Sequence, residues 1–215
     1  MTSVLALAPA PGTSGYYSLD AGGGILAFGT AKWHGSMRSR KSTQVSVDLT
    51  ARRQGDGYWV LAANGGVFAF GAAQWFGSLS GFSGKIKVRK VRATPSGNGY
   101  WILGANGRVY PFGDAGRAGS PSDRRRTDVV DLASSSTGKG YWVVMSDGGV
   151  FAHGDAPHLG DLKGKGRRPV AILGSPTGRG YQILSSDGNV TGFGDTASFG
   201  GVPGRKAVAL AATLA

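Results

Sequence analysis

Five copies of one short motif follow each other along this chain at nearly constant spacing. Each copy opens with glycine and tyrosine, followed in the first four copies by a second aromatic residue. It continues through an Asn-Gly, Asp-Gly or Gly-Gly turn and closes on a second apolar run. The first tyrosines lie 42, 42, 41 and 40 residues apart, at Tyr16, Tyr58, Tyr100, Tyr141 and Tyr181. A fixed period of this length is the signature of propellers and solenoids. The period therefore predicts five copies of one structural unit.

Each copy is predicted to contribute four β-strands. A two-residue turn such as Asn64-Gly65 needs positive φ, so the apolar runs on either side of it predict a β-hairpin. A short apolar strand precedes each hairpin, as in residues 45–49, and a short segment that ends in Gly-Ser or a variant follows it. Four strands fit within each period.

The predicted fold is all-β, a single five-bladed β-propeller domain over residues 1–215. The hairpin strands are apolar at both alternating sets of positions, as in the run from Tyr58 to Leu61. Both faces of each sheet are therefore expected to be covered, as they are in radially stacked blades. A sandwich or a solenoid would leave more alternation of polar and apolar residues along the outward-facing strands. The expected blades are approximately 1–40, 41–83, 84–123, 124–164 and 165–204, with 205–215 as a closing or surplus strand.

The last residues repeat the pattern of the first strand. Residues 206–211 match the apolar run that begins at Val4, which gives six copies of the first strand against five hairpins. We expect one terminal strand to pair in the first blade and close the ring. The displaced strand would be free to extend the sheet of a neighbouring chain, which predicts an oligomer or assembly contact.

The motif also resembles a known repeat. The pattern Gly-x-Gly-Tyr-Trp, then Asn or Asp followed by Gly-Gly-Val-Phe-x-Phe-Gly, is similar to the repeat common in actinobacterial cell-surface and phage-associated proteins. The architecture resembles tachylectin-like five-bladed lectins. These resemblances imply a propeller scaffold, a place in a virion or surface assembly, and glycan binding as one use of the fold. The later copies depart from the pattern at Pro111, His153 and Gln182.

Positive charge collects between the repeats. The formal net charge is +12, and each basic cluster follows the end of one repeat and precedes the next first strand. Because equivalent connections of a closed propeller share a face, we expect a basic face that attracts an acidic protein surface or an anionic polymer. The alternative is a solvated, solubilising rim. The candidate residues are Arg38, Arg40, Lys41, Lys85, Lys87, Arg124, Arg125, Arg126, Lys163, Lys165, Arg167, Arg168, Arg205 and Lys206.

Charged residues also occur inside the first strands. Charged residues at matching or adjacent offsets are Asp48 in the second copy, Lys90 and Arg92 in the third, and Asp131 in the fourth. We expect neighbouring repeats to pair these charges. The alternative is that they contact only water.

A second candidate site consists of aromatic residues in the segment after each hairpin. Such rings can stack on the apolar face of a sugar, and a cell-wall glycan is the expected ligand. The alternative is that the rings only pack between the outer edges of the blades. The tryptophan of this segment is replaced in the later copies, so five equal sugar sites are not expected. The candidates are Trp33, His34, Trp75, Phe76 and Phe199.

The sequence offers little that points to catalysis, metal binding or a cofactor. It has no cysteine, no Gly-x-Ser-x-Gly elbow, no Walker loop and no His-Glu-x-x-His motif. His153 and His158 are close in sequence, but each replaces an aromatic residue of the repeat, which favours a structural role over a metal site. We therefore expect no enzyme activity, no cofactor and no metal.

The start of the chain lacks a basic region followed by a long apolar run, and no run approaches the length of a membrane span. No signal peptide and no membrane insertion are expected. We predict a non-catalytic binding or structural module, such as a component of a phage virion or another surface assembly, that docks an acidic partner through a basic face. The alternative is a lectin-like propeller that recognises cell-surface glycans.

Overall fold

The structure is a computed structural model that describes residues 4–82, 86–196, 200–202 and 204 of the 215-residue chain. Within these residues the regular structure is β-sheet, apart from a 3-10 helix at Pro121–Arg124. The described residues form two compact units. The first consists of residues 4–104 and 110–115, and the second of residues 105–109 and those from 116 onward. The predicted closing or surplus strand at 205–215 lies outside the described residues.

The first unit holds the sheets of repeats one to three. Each sheet is a three-stranded meander in which the strands pair in chain order. The first sheet contains β1 (Val4–Ala10), β2 (Gly15–Asp20) and β3 (Ile25–Phe28). The second contains β4 (Ser46–Ala51), β5 (Gly57–Ala62) and β6 (Val67–Gly71). The third contains β7 (Val88–Ala93), β8 (Gly99–Gly104) and β9 (Val109–Gly113).

The second unit holds the sheets of repeats four and five, with the same order of strands. The fourth sheet contains β10 (Val129–Ser134), β11 (Tyr141–Met145) and β12 (Val150–His153). The fifth contains β13 (Pro169–Gly174), β14 (Gly180–Ser185) and β15 (Val190–Gly194). All five sheets carry the same irregularity in pairing near the start of their first strand. The sequence repeat is therefore also a structural repeat.

The prediction of four strands per repeat is wrong for the described residues, because each sheet has three. The segment after the third strand, which we call the outer segment, contains no strand in the first four repeats. Each of these four segments includes a glycine with φ between 105° and 129°, a backbone conformation incompatible with an extended strand. The outer segments are residues 30–36, 72–78, 114–120 and 155–161, with 195–196 and 200–201 described in the fifth repeat.

Each outer segment of the first four repeats is held by a tyrosine of the next repeat. The Tyr58 hydroxyl donates to the Gly35 carbonyl oxygen at 2.6 Å and accepts from the His34 amide at 3.0 Å. The Tyr100 hydroxyl donates in the same way to the Gly77 carbonyl oxygen, also at 2.6 Å. We call this arrangement the tyrosine clasp. It recurs in the second unit, where Tyr141 donates to Gly119 and Tyr181 donates to Gly160.

Burial keeps the clasp hydroxyls protonated. It raises the pKa of these tyrosines from 10.0 to about 12, because a buried phenolate would lose its hydration. The hydroxyl is therefore a hydrogen-bond donor throughout the physiological range. The stability that this protonation contributes is complete below the ordinary pKa and is lost as the pH rises towards about 12.

The clasp requires glycine in the outer segment. At Gly77, where φ is 129°, a Cβ atom would lie 2.6 Å from the Phe112 ring of the third strand. That ring also packs against Tyr100, with 5.6 Å between the ring centroids. A larger residue at this position would have to displace the aromatic pair that forms the wall of the clasp.

A second aromatic residue holds the outer segment from within its own repeat. The Trp59 indole N–H donates to the Gln74 carbonyl oxygen at 2.7 Å, and Trp142 makes the equivalent bond in repeat four. In repeat one, Tyr17 replaces the tryptophan and donates to the Lys32 carbonyl oxygen at 3.1 Å. These hairpin aromatics are fully buried, so they belong to the scaffold.

We call the residues between an outer segment and the next first strand the connection. In every repeat a backbone N–H at the start of the connection donates to the carbonyl oxygen of the glycine in the hairpin turn. Each connection therefore begins at the turn end of its own sheet, which is where the sequence predicts the basic clusters. The five bonds are Arg38 to Gly23, Leu79 to Gly65, Ser122 to Gly107, Leu162 to Gly148 and Val202 to Gly188.

The predicted pairing of charges between first strands is confirmed in the first unit. Buried Asp48 accepts from Arg92 at 2.7 Å and lies 3.5 Å from the Lys90 ammonium nitrogen. It also accepts from the Val91 backbone amide at 2.9 Å, so the carboxylate fastens β4 to β7. These hydrogen bonds compensate its burial.

The clasp predicts a clear difference between two tyrosines at equivalent positions. Tyr100→Phe removes the only side-chain donor to the Gly77 carbonyl oxygen among the described residues. We expect a loss of about 1 to 3 kcal/mol in the free energy of unfolding, measured by chemical denaturation. Tyr16→Phe is the control, because Tyr16 is 42% exposed and its hydroxyl bonds to no described residue. Equal losses in the two variants would contradict the clasp.

Candidate anion-binding groove

The described basic residues of the connections are all at least partly exposed. The half-buried ones are Arg126 and Arg167. The exposed ones are Arg38, Arg40, Lys41, Lys87, Arg124, Arg125, Lys163, Lys165 and Arg168. The candidates Lys85, Arg205 and Lys206 lie outside the described residues.

Some of these cations form ion pairs or ring contacts with residues of the neighbouring strands. Arg38 forms an ion pair with Asp20, in which one guanidinium nitrogen donates to the two carboxylate oxygens at 2.8 and 3.0 Å. The Arg40 guanidinium carbon lies 4.4 Å from the centroid of the Phe70 ring, and its nitrogen donates to a backbone carbonyl oxygen of β6. Lys165 lies in the same way over an aromatic ring of β15. Part of the charge is therefore fixed against the third strand of the following hairpin.

Several charged side chains surround a cavity in repeat four. A groove of about 410 Å³ lies between the connection that precedes the repeat, strand β12 and the outer segment of the repeat. Its charged and polar side chains are Arg124, Arg126, His153, His158, Asp161 and Lys163. The face of Phe151 and the backbone of β12 complete the lining.

Arg126 is fixed at one side of this groove. Its guanidinium makes two bonds of 2.8 Å to Asp128 and one of 2.9 Å to Asp147. The hydrogen bonds from Arg126 are the main reason that the pKa of Asp128 falls to about 2, and the same bonds raise the pKa of the arginine. Two carboxylates therefore compensate Arg126, which makes it a rigid part of the wall.

Arg124 and Lys163 differ from Arg126 because neither forms an ion pair with a described residue. Arg124 is the last residue of the 3-10 helix, and its guanidinium carbon lies 5.7 Å from the centroid of Phe151. Lys163 enters from the following connection. The two side chains therefore bring cationic groups to the groove that form no ion pair with a described residue, while the carboxylates of Asp161 and Asp123 lie nearby.

The groove also holds polar groups of other kinds. The His158 Nε2 atom lies 3.9 Å from an Asp161 carboxylate oxygen, and the other oxygen of Asp161 accepts from the Lys163 backbone amide at 3.1 Å. Burial lowers the pKa of His153, so its ring is neutral at physiological pH. The described residues contain no cluster of three metal-ligating side chains.

The structure separates the aromatic candidates into two kinds. His34 and Phe76 are half-buried beside a clasp tyrosine, with ring centroids 5.6 and 5.9 Å from those of Tyr58 and Tyr100. Packing explains these two residues. Phe199 lies outside the described residues.

Trp33 and Trp75 are not packing residues. These residues are 55% and 60% exposed, which favours the stacking interpretation over the alternative that they only pack between blade edges. Trp33 is nevertheless oriented, because its indole N–H donates to the Ile25 carbonyl oxygen at 3.1 Å. An ordered, exposed ring is a surface on which another molecule can stack.

Sequence reasoning identified Arg124, Arg126 and Lys163 as basic residues but missed the groove. Asp147 belongs to the hairpin turn and Asp161 to the outer segment, and nothing in the repeat pattern brings them to the same place. The only signal was the substitution of His158 and His153 for aromatic residues in one repeat. In repeat four both replacements are imidazoles, and both line the groove.

Comparison with known proteins bears on the fold. No family model and no curated protein matches the chain. Among solved structures, the β-propeller domain of Cps50 (Swd1) from Myceliophteria thermophila is similar, with a TM-score of 0.55 and 11% sequence identity. The match covers 80% of this chain and 63% of that chain, less than two thirds of its length. The likeness and the five three-stranded sheets show a β-propeller fold.

Within the described ranges, no helix combines the length and the apolarity that crossing a membrane would require.

The Arg126 ion pairs predict a specific acid sensitivity. The pKa of Asp128 is about 2 in the folded protein against an ordinary 3.8, so the stabilisation is present above 3.8 and is lost as the pH falls towards 2. We expect Asp128→Asn to lower the free energy of unfolding near neutral pH by about 1 kcal/mol or less, because the pair is partly exposed. The variant should also show a shallower loss of stability in acid. Parallel stability curves would contradict this assignment.

Proposed function

We propose that this chain is a five-bladed β-propeller domain over residues 1–215 that acts as a non-catalytic binding module for an anionic partner. In this proposal each three-stranded sheet is one blade. The observation that carries the function is the groove of repeat four, where Arg124 and Lys163 have no carboxylate partner among the described residues. Cationic groups at a cavity that are not engaged in ion pairs are available to bind a negatively charged ligand.

The rest of the basic charge supports the same proposal. The net charge is +12, and within each unit the described clusters start where a connection meets the turn of its own sheet. Interactions of this kind are strengthened by release of counterions, so they depend strongly on salt. Cations already held by the scaffold, such as Arg38 and Arg126, contribute to the field more than to direct contacts.

Binding is also favoured over catalysis by the titratable groups of the groove. A general acid or base must reach the group with which it exchanges a proton. The Nε2 atom of His153 is buried, so it is not accessible to a ligand in the groove. The geometry is better suited to holding an anion than to transferring a proton.

The resemblance of the repeat to actinobacterial cell-surface and phage-associated proteins supports a place for this module in a surface assembly such as a virion. An acidic protein surface or an anionic wall polymer would be the partner there. The exposed basic side chains of the connections are suited to either, since both present several negative charges close together.

A matched pair of variants tests this function. Gln at Arg124, Arg125 and Lys163 should raise the Kd for poly-aspartate about tenfold or more. It should also make the plot of log K against log salt concentration shallower, by about 1 for each side chain that no longer binds the polyanion. Gln at Arg53, Lys139 and Arg179 makes the same change of charge in exposed loops between first and second strands, at the opposite end of the sheets from the hairpin turns. Equal effects of the two variants, measured by titration calorimetry, would contradict a localised site.

A second candidate function is glycan binding, which the exposure of Trp33 and Trp75 favours. The two rings stand at equivalent positions of consecutive repeats in the first unit, and each can cover the apolar face of one sugar. Alanine at both positions should abolish binding of a neutral oligosaccharide such as chitotriose, measured by calorimetry, without lowering stability by more than about 0.5 kcal/mol each. Unchanged binding would exclude these rings as the site.

A further inference from the structure

The groove of repeat four contains more than a site for a bare anion requires. Two cations that form no ion pair with a described residue, Arg124 and Lys163, line a cavity that is also lined by the carboxylate of Asp161 and the imidazole of His158. A carboxylate beside an anion site repels the anion, unless the ligand also carries groups that the carboxylate can bind. We propose that the groove binds an acidic saccharide, meaning a sugar unit that carries a phosphate or carboxylate group. This proposal rests on the binding function proposed above and specifies its ligand.

The cationic side of the groove is suited to the acidic group of such a ligand. A guanidinium offers paired N–H donors that match the oxygens of a phosphate or carboxylate, and an ammonium adds a compact charge. Arg124 lies at the end of a short helix and Lys163 in the next connection, so the two approach the cavity from different segments. Neither has to give up an ion pair with a described residue to bind a ligand.

Arg126 positions this cationic side without contributing a free charge. It is tied to Asp128 and Asp147, and its guanidinium carbon lies 5.7 Å from the centroid of Phe151, the same distance as that of Arg124. The ion pairs hold Arg126 against the ring. They also fix the backbone two residues from Arg124, which limits the conformational freedom that Arg124 would lose on binding.

The polar side of the groove is suited to sugar hydroxyls. An ionised carboxylate such as Asp161 accepts hydrogen bonds from hydroxyl groups, and an imidazole such as His158 can donate or accept them. Asp161 is held in place because one of its oxygens accepts from the Lys163 backbone amide. His158 occupies the position that Trp33 and Trp75 hold in repeats one and two. A hydrogen-bonding group has therefore replaced an aromatic surface in this repeat.

The size of the groove and the surroundings of its aromatic ring favour an acidic sugar over a nucleotide. A cavity of about 410 Å³ lies within the range of about 300 to 1,000 Å³ typical of small-molecule sites, and it would hold a sugar unit with its acidic group. Nucleobases bind mainly by stacking on open aromatic faces. Two guanidinium groups already lie over Phe151, which leaves a base little of that ring to stack on.

The first experiment compares four ligands by titration calorimetry with the unmodified chain. Glucose 6-phosphate and glucuronate carry both features, glucose lacks the charge, and inorganic phosphate lacks the sugar. We expect at least one acidic sugar to bind about tenfold or more tightly than glucose and than phosphate. The tighter of the two acidic sugars identifies the acidic group. Phosphate or glucose binding as tightly as both acidic sugars, or no binding of either acidic sugar, would overturn the proposal.

The second experiment uses Asp161→Asn, which retains an oxygen that can accept from the Lys163 backbone amide. Loss of the negative charge should strengthen binding of inorganic phosphate severalfold, and loss of the charged acceptor should weaken binding of the acidic sugar severalfold. The control is Asp187→Asn. Asp187 lies in the hairpin turn of repeat five, where repeats two and three already have asparagine at the equivalent position. Stronger binding of both ligands to Asp161→Asn would show a simple anion site and overturn the saccharide proposal.

The two proposals fail separately. Gln at both Arg124 and Lys163 should weaken binding of poly-aspartate and of the acidic sugar together. If this variant loses poly-aspartate affinity while no acidic sugar binds better than phosphate to the unmodified chain, the saccharide proposal is wrong and the anionic-partner function stands. If poly-aspartate affinity is unchanged as well, both are wrong.

Discussion

The tyrosine clasp is the interaction on which the rest of this structure depends. The outer segments of the first four repeats have no strand partner, so their backbone groups must find other hydrogen bonds. The buried hydroxyl of Tyr58, and its equivalents in later repeats, meets this need across the boundary between repeats. Because each connection continues directly from an outer segment, the clasp also determines where the basic residues leave the scaffold. Function is therefore expected between the hairpins.

Repeat four shows how a polar groove can be built on this scaffold without loss of its core. Trp142 stays buried and keeps its bond to the outer segment, and Tyr141 keeps the clasp. The differences lie on the outside of these contacts, where histidines replace aromatic residues and Arg126 is tied to carboxylates of its own repeat. Hydrogen bonds within the wall hold it rigid. Such preorganisation lowers the cost of ordering side chains when a ligand binds.

Local physical chemistry explains which features could be predicted from the sequence. Glycine turns and buried tryptophans follow from residue type and period, and so does the pairing of Asp48 with the next first strand. The absent fourth strand depends on a positive φ at positions such as Gly77, which the sequence shows only as another glycine. The exposure of Trp33 and the assembly of the groove depend on tertiary distances. A sequence period identifies positions that are equivalent between repeats, but it does not give the distances between positions that are not equivalent.

The central claim is that the ligand lies in the groove between connection and outer segment, and backbone amide chemical shifts test it most directly. Glucose 6-phosphate and glucuronate should each be titrated into the isotopically labelled chain while the shifts are followed by nuclear magnetic resonance. The largest changes are expected at the amides of residues 124–126, 149–153 and 158–163, with the hairpin strands of the other repeats unaffected. Changes centred on Trp33 and Trp75, or none at all, would contradict the claim.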